Sequence, residues 1–383
     1  MPGWKIPLFE PDITEDDMNA VCEPIRERWL TMGGRTKRYE ETFAEKLNID
    51  NAIAVCSGTA ALHLSLMALG ITSGDEVMTP SLTFVACANV IGAVGASPVF
   101  VDICDENDWT ISPADFEAKI TSKTKAIVVV HYAGFSCRMA EISRIAKKHN
   151  IAIIEDCAHA LFTSRDDKKC GCFGDLACFS FFSNKNMTTG EGGMIVTRNV
   201  ELAERVRLLR SHGMTSLTLD RFKGRALSYD VQAIGLNYRP NEITSALGLS
   251  QLPRLDRNLE LRRNIYSQYV KTLQNQDGLS IPFQNRGSET VGYHIFPMLL
   301  NHNINREAFI GGMKEKGIQT SIHYPAIHKF TAYRELLGDY DVRCPLTETV
   351  SDREVTLPFY PSMIEEQTSE ICDAVEYSIR QAT

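Results

Sequence analysis

Between residues 51 and 156 the chain repeats one pattern: a short apolar run, a turn of small or polar residues, then a segment with apolar positions three or four apart. NAIAV (51–55) predicts a strand, and after CSGT the segment AALHLSLMALG predicts a helix. Its apolar residues at 62, 66 and 69 share one face, and it stops at Gly70. EVMTP (76–80) predicts a strand closed by its proline, FVACANVIGAVG (84–95) a helix, and SPVFVDI (97–103) a strand. SPADFEAKI (112–120) opens a helix with Ser112 as the cap and a proline in the first turn. KAIVVVHY (125–132) is an apolar strand, CRMAEISRIAKKHN (137–150) an amphipathic helix, and IAIIEDCAHA (151–160) a strand reaching Glu155 and Asp156. Strands that are apolar on both faces, alternating with helices, predict a mostly parallel sheet covered on both sides. In such sheets functional side chains collect at the carboxyl ends of strands. The Ser57–Gly58–Thr59 turn, Asp156 and the loop carrying Lys185 all fall there.

The texture changes near residue 250. LPRLDRNLELRRNIYSQYVKTLQ (252–274) predicts a long charged helix. A strand YHIFPMLL (293–300), a helix NREAFIGGMKEKG (305–317), a strand IQTSIHYP (318–325) and a polar last helix over 363–381 follow. The expected organisation is an α/β chain of two domains. Residues 1–250 form the large one, including the N-terminal segment, and 251–383 a smaller α+β one. The stretch from 77 to 101 has no charge and is long enough to span a bilayer. Pro80, Asn89, Gly92, Gly95 and Pro98 divide it, so a buried helix followed by a buried strand is the better account.

Composition narrows the function. A net charge of −8 argues against nucleic acid or an anionic membrane as the main partner. Eleven cysteines lie mostly in apolar runs, and the opening MPGWKIPLFEPDITEDD has no apolar signal core, which predicts reduced thiols in a cytoplasm. Cys170, Cys172 and Cys178 lack a C-x-x-C pair and a nearby histidine, so no metal is expected. The phosphate-loop Gly-Lys pair, a strand-linked G-x-G-x-x-G and H-E-x-x-H are all missing.

FFSNKNMTTGEGGMIVT (181–197) holds one cation, Lys185, with no other lysine or arginine between Lys169 and Arg198. Lys185 is either a surface lysine or, if buried, a nucleophile with a lowered pKa. Ser57 and Thr59 open a helix, either as a capped tight turn or as an anion cup of outward N–H groups and hydroxyls. Asp156, at the end of a buried strand, needs a cation: one from the protein, or a protonated ring nitrogen. An anion cup, an acid for a ring nitrogen and a nucleophilic lysine are together the requirements of pyridoxal phosphate (PLP).

The stretches SGTAALHLSLMALGI, GDEVMTPSLTFVACANVI, PVFVDI, IIEDCAHA, GDLACFSFFSNKNMTTGEGGMIVT, RSHGM, GLNYRPNEITSALGLSQL and IHYPAIH resemble the DegT/DnrJ/EryC1/StrS family of PLP-dependent sugar aminotransferases. The resemblance spans residues from about 5 to 380. It implies the fold type I aminotransferase architecture and a homodimer with shared active sites. It implies that Lys185 forms the Schiff base and Asp156 meets the pyridine nitrogen. His159 stands where many relatives carry glutamine, near the cofactor's phenolic oxygen. Phe84 matches the ring-stacking aromatic. Gly58, Thr59 and Ala60, with Ser180, match the phosphate site, and Asn237 matches a phosphate ligand given by the second subunit. Arg239, His323, Tyr324 and His328 are implied on the substrate side. Relatives that are dehydratases have histidine in place of the lysine, and Lys185 argues against that branch. TTGEGGM after the lysine resembles nucleotide-sugar 4-aminotransferases. The implied reaction moves an amino group from L-glutamate to the C4 keto group of a nucleotide-linked 4-keto-6-deoxyhexose. The C3 position, a non-nucleotide keto-sugar or cyclitol, and a non-catalytic regulator are the alternatives.

Overall fold

Strand residues alternate between two faces, and in this protein both faces are packed. In the Asn51–Val55 strand, Ile53 and Val55 join one core with Leu62, Leu66 and Ile195. Ala52 and Ala54 join another with Phe43, Phe179 and Val196. That is why these runs show no polar alternation. The structure, a computed structural model, describes residues 3–216, 224, 228–284, 286, 289–338 and 342–383. Seven strands form the main sheet in the order Asn51–Val55, Gly193–Thr197, Leu176–Ser180, Ala152–Asp156, Thr124–Val130, Glu76–Pro80, Ser97–Val101. From Leu176–Ser180 to Ser97–Val101 every pair is parallel, and Gly193–Thr197 is antiparallel to both its neighbours. Residues 181–192, which carry Lys185, join two adjacent strands without a crossover helix, so the chain must return antiparallel.

The Gly58–Ala68 helix is buried nearly all round and packs on the sheet, as an apolar helix should. Gly193 lets the returning strand pass its N-terminus: a Cβ there would stand 2.5 Å from the Ser57 carbonyl oxygen. Ser112 caps the Pro113–Ala118 helix as predicted, accepting from the Asp115 amide. All eleven cysteines are free thiols, eight of them buried.

Three expectations change. The stretch 318–325 is not a strand: it makes single bridges at Ile318 and Ser321 only. Beyond them, the His323 amide donates to the Glu354 carboxylate at 2.7 Å and its carbonyl accepts from the Tyr132 hydroxyl, so side chains replace the ladder. The last helix, Glu365–Ala382, is polar on one side only and buries Ile371, Val375 and Ile379 in the smaller domain's core. Finally, the segment around Ile6 joins the smaller domain, whereas the Glu15–Arg26 helix packs on the Glu242–Gln251 helix of the large one. Ile6 lies in the smaller domain's core and bridges to Ile318. That core surrounds a sheet of Leu279–Ser280, Phe296–Leu300 and Glu354–Leu357.

Glu155, fully buried, ties the centre of the main sheet to the 170–174 loop. One oxygen accepts from the amides of Phe173 and Gly174, each at 2.7 Å. The other accepts from the Gly171 amide at 2.8 Å and from His131 Nε2 at 2.9 Å. His131 Nδ1 in turn accepts from the Cys137 amide at 3.1 Å, which leaves the ring's one proton on Nε2. Cys157 lies close to this pair, but the donors already use the carboxylate's lone pairs, so the cluster is a structural knot. Glu155→Gln keeps the shape but points an NH2 at an N–H donor. We expect it to destabilise the fold by about 2–3 kcal/mol, read as a lower denaturant midpoint. A midpoint equal to that of the parent would contradict this account.

Candidate active site

A cavity of about 360 Å³ opens at the carboxyl ends of the central strands. The helix start at Ser57, Gly58 and Thr59 forms one wall, with Ser180 beside it, and Asp156, His159 and Lys185 line the interior. Phe84, His323 and Tyr324 close it. Eight of the residues that the resemblance implies therefore meet Lys185 around one space, although they span positions 58 to 324.

Each wall has a local cause. Ser57 is extended and its hydroxyl accepts from the Ala60 amide at 3.1 Å, so it is the helix N-cap. The amides of Gly58 and Thr59 precede the first helical bond and have no partner among the described residues. Gly58 keeps that corner open, because a Cβ there would stand 2.8 Å from the Ser180 Cβ. Ala60 lies behind, buried, with its amide spent on the cap. Both readings of the motif are compatible with this geometry: Ser57 caps the helix, and the next two amides are free to meet an anion.

Asp156 ends its strand buried. Oδ2 accepts from the Cys87 thiol at 3.1 Å and Oδ1 from the Ala158 amide at 2.9 Å. Among the described residues it has no ion-pair partner. None of these residues therefore forms an ion pair with this carboxylate. Lys185 shares its cavity, and burial pushes the amine down to about 8, with Asp156 pulling the other way. The residual exposure of Lys185 is surface turned toward the cavity.

Three imidazoles surround the lysine and all are held neutral. Burial is the main cause, and the nearby Lys185 charge adds to it. His323 is pushed down to about 4. His159 Nδ1 accepts from the Ala133 amide at 3.3 Å, so the proton sits on Nε2 and is donated to the Tyr324 hydroxyl at 3.0 Å. Phe84 is 57% exposed, a large apolar face left uncovered at the rim, with its ring 6.0 Å from that of Tyr324.

Other residues implied by the resemblance lie elsewhere. His328 is buried outside the lining, with Nδ1 2.7 Å from Ser81 Oγ and Nε2 3.2 Å from Glu348. Asn237 is exposed and Arg239 half-buried, and neither lines the cavity of its own chain. The sequence reading missed Asn184, Asn186, Cys87 and His294. Asn184 lines the cavity with a buried Oδ1 that has no partner among the described residues. The two asparagines flank Lys185 in the string NKN, a polar pair that could have been weighed. Cys87 and His294 sit singly inside apolar runs and look like ordinary core residues.

The residues fit PLP on three structural counts: the free amides beside Gly58, the buried carboxylate without a cation, and the shielded lysine. Comparison with known proteins agrees. Residues 11–376 match the DegT/DnrJ/EryC1/StrS aminotransferase family. GDP-perosamine synthase of Escherichia coli O157:H7 is 36% identical over 373 residues, covering 97% of each chain. PseC of Helicobacter pylori, an aminotransferase involved in the biosynthesis of pseudoaminic acid, superimposes with a TM-score of 0.90 at 30% identity. It covers 98% of this chain and 99% of PseC. The PLP form of Spr1654 from Streptococcus pneumoniae superimposes with a TM-score of 0.91 at 26% identity, over 100% of this chain and 99% of that one. The chain belongs to the DegT/DnrJ/EryC1/StrS aminotransferase family, and it is a PLP-dependent sugar aminotransferase of fold type I.

Proposed function

We propose that the chain moves an amino group from L-glutamate to the C4 keto group of a nucleotide-linked 4-keto-6-deoxyhexose, as a cytoplasmic homodimer with shared sites. The observation that carries the proposal is the buried Asp156 carboxylate, without a protein cation, in one cavity with a lysine shielded from water. The string TTGEGGM after Lys185 and the similarity to GDP-perosamine synthase support the nucleotide sugar and C4.

Bound PLP supplies an electron sink for the carbon that loses a proton. Lys185 would hold the cofactor and, once released, carry that proton as base and then as acid. Asp156 would keep a proton on the ring nitrogen. The amides of Gly58 and Thr59, with Ser180, would take the phosphate, with Ala60 behind them. Phe84 would cover one ring face and His159 would sit toward the phenolic oxygen. His323 and Tyr324 would meet the sugar, with Arg239 and His328 as outer candidates. Asn237, outside its own chain's cavity, would reach the partner's phosphate.

Borohydride should fix the cofactor covalently on Lys185, and a labelled peptide carrying a different lysine would end the assignment. Burial disfavours the ammonium, so the proton leaves at lower pH than from a free lysine. Reaction of the cofactor-free enzyme with PLP should therefore rise with pH to a midpoint near 8, against the ordinary 10.5.

Asp156→Asn should leave the fold intact and lower kcat at least about a hundredfold, ~2.7 kcal/mol of barrier, because the ring charge matters most in the transition state. A variant within about threefold of the parent contradicts the pairing, since that is under ~1 kcal/mol.

Shared sites predict complementation. Lys185→Ala and Asn237→Ala chains, each dead or weak alone, should regain about a quarter of parental activity after subunit exchange. Half the chains pair as heterodimers, and one of the two sites in each is whole. Exchange shown by mass with no recovered activity refutes donation of Asn237 across the interface.

A further inference from the structure

Three contacts fix the chemical state of His294, a buried residue. The Asn186 Nδ2 donates to the Gly292 carbonyl, which turns the amide oxygen of Asn186 toward the histidine. That oxygen lies 3.1 Å from His294 Nδ1 and accepts its proton. Arg262 Nη1 donates to the carbonyls of Tyr293 and His294 at 3.3 and 3.2 Å and pins the backbone there. A neutral imidazole protonated at Nδ1 has its lone pair on Nε2. His294 Nε2 stands 3.4 Å from Lys185 Nζ. On its other side the ring packs against His159, with centroids 4.3 Å apart.

We infer that His294, locked by Asn186 with its proton on Nδ1, is a positioning residue that accepts a hydrogen bond from the Lys185 amine and aims it into the cavity. The inference rests on the proposed role of Lys185 and adds what orients the amine. No other imidazole nitrogen is as well placed. His159 spends its Nε2 proton on Tyr324, and His323 has Nδ1 3.0 Å from Thr356 Oγ1.

The arrangement has a consequence for protonation. An ammonium is a stronger donor than an amine, so an acceptor at Nε2 favours the protonated lysine. It works with Asp156 and against burial. The titratable groups around Lys185 are Asp156, Glu191, His159, Cys178, His323 and Tyr324, with Arg262 behind His294. The histidines are neutral, so His294 acts as an acceptor and not as a competing cation. Removing the acceptor must lower the pH at which Lys185 loses its proton.

The test uses full-length enzyme freed of cofactor. Trace acetic anhydride is added at a series of pH values, and acylation of the Lys185 peptide is read by mass against an exposed lysine. We expect His294→Phe to move the Lys185 midpoint down by about one pH unit, the worth of one charge-assisted hydrogen bond. Asn186→Ala, which frees the tautomer, should move it the same way by less. His294→Gln, which restores an amide oxygen near the Nε2 position, should stay within about 0.3 unit of the parent. An unmoved or raised midpoint in folded His294→Phe overturns the inference. So does a His294→Gln variant that shifts as far as His294→Phe, since loss of packing alone would then explain both. If His294→Phe shows no cooperative unfolding transition, the Asn186→Ala midpoint decides, and an unmoved value there is fatal. Borohydride mapping to Lys185 is a separate measurement, so the role of the lysine can stand while this inference falls.

Discussion

The site depends on one unpaired buried charge. Burying a carboxylate costs several kcal/mol unless it is matched. The Cys87 thiol and the Ala158 amide give Asp156 hydrogen bonds but no positive charge. Under the proposed function, that carboxylate is the place for a cation that arrives with a ligand. The same low-polarity walls lower the pKa of the Lys185 amine to about 8 and hold three histidines uncharged around it. In the proposed reaction desolvation would serve both ends of the chemistry: the carboxylate would need a protonated ring, and the amine would be able to attack.

Much of the remaining architecture keeps that cavity dry and shaped. Parallel strands packed on both faces deliver Asp156 and Ser180 to the same edge of the sheet. Glu155, the neighbour of Asp156, points the other way and is filled by four donors, which anchors the strand that carries the acid. Two adjacent carboxylates on one strand therefore have opposite fates. The alternation of side chains across the sheet decides which is structural and which faces the cavity.

The smaller domain completes the site. Arg262, buried and with its pKa lowered to about 9 by desolvation, gives Nη1 to three backbone carbonyls, those of Tyr293, His294 and Phe359. His323 and Tyr324 enter from a loop held by Glu354 and Tyr132. Glu354 is itself pushed up to about 8 by burial. The wall opposite the sheet is thus built from polar backbone ties, and not from a continuous strand.

The amino-acid sequence by itself determined the layered α/β fold, because strands apolar on both faces have no other way to be covered. It also determined the chemical inventory: a lone lysine, a strand-end acid and a small-residue helix start. Local pattern was enough for these, since strand burial, helix capping and the missing charges around Lys185 are all properties of neighbours in the chain. Only the tertiary structure decided that Asp156 has no ion-pair partner among the described residues, that His328 is spent on Ser81 and Glu348, and that Ile6 packs with the smaller domain. It alone brought His294 to Lys185, across 108 residues from the asparagine that orients it. A histidine inside an apolar run carries no local sign of its tautomer or its target, because both are set by hydrogen-bond partners that the chain supplies from far away.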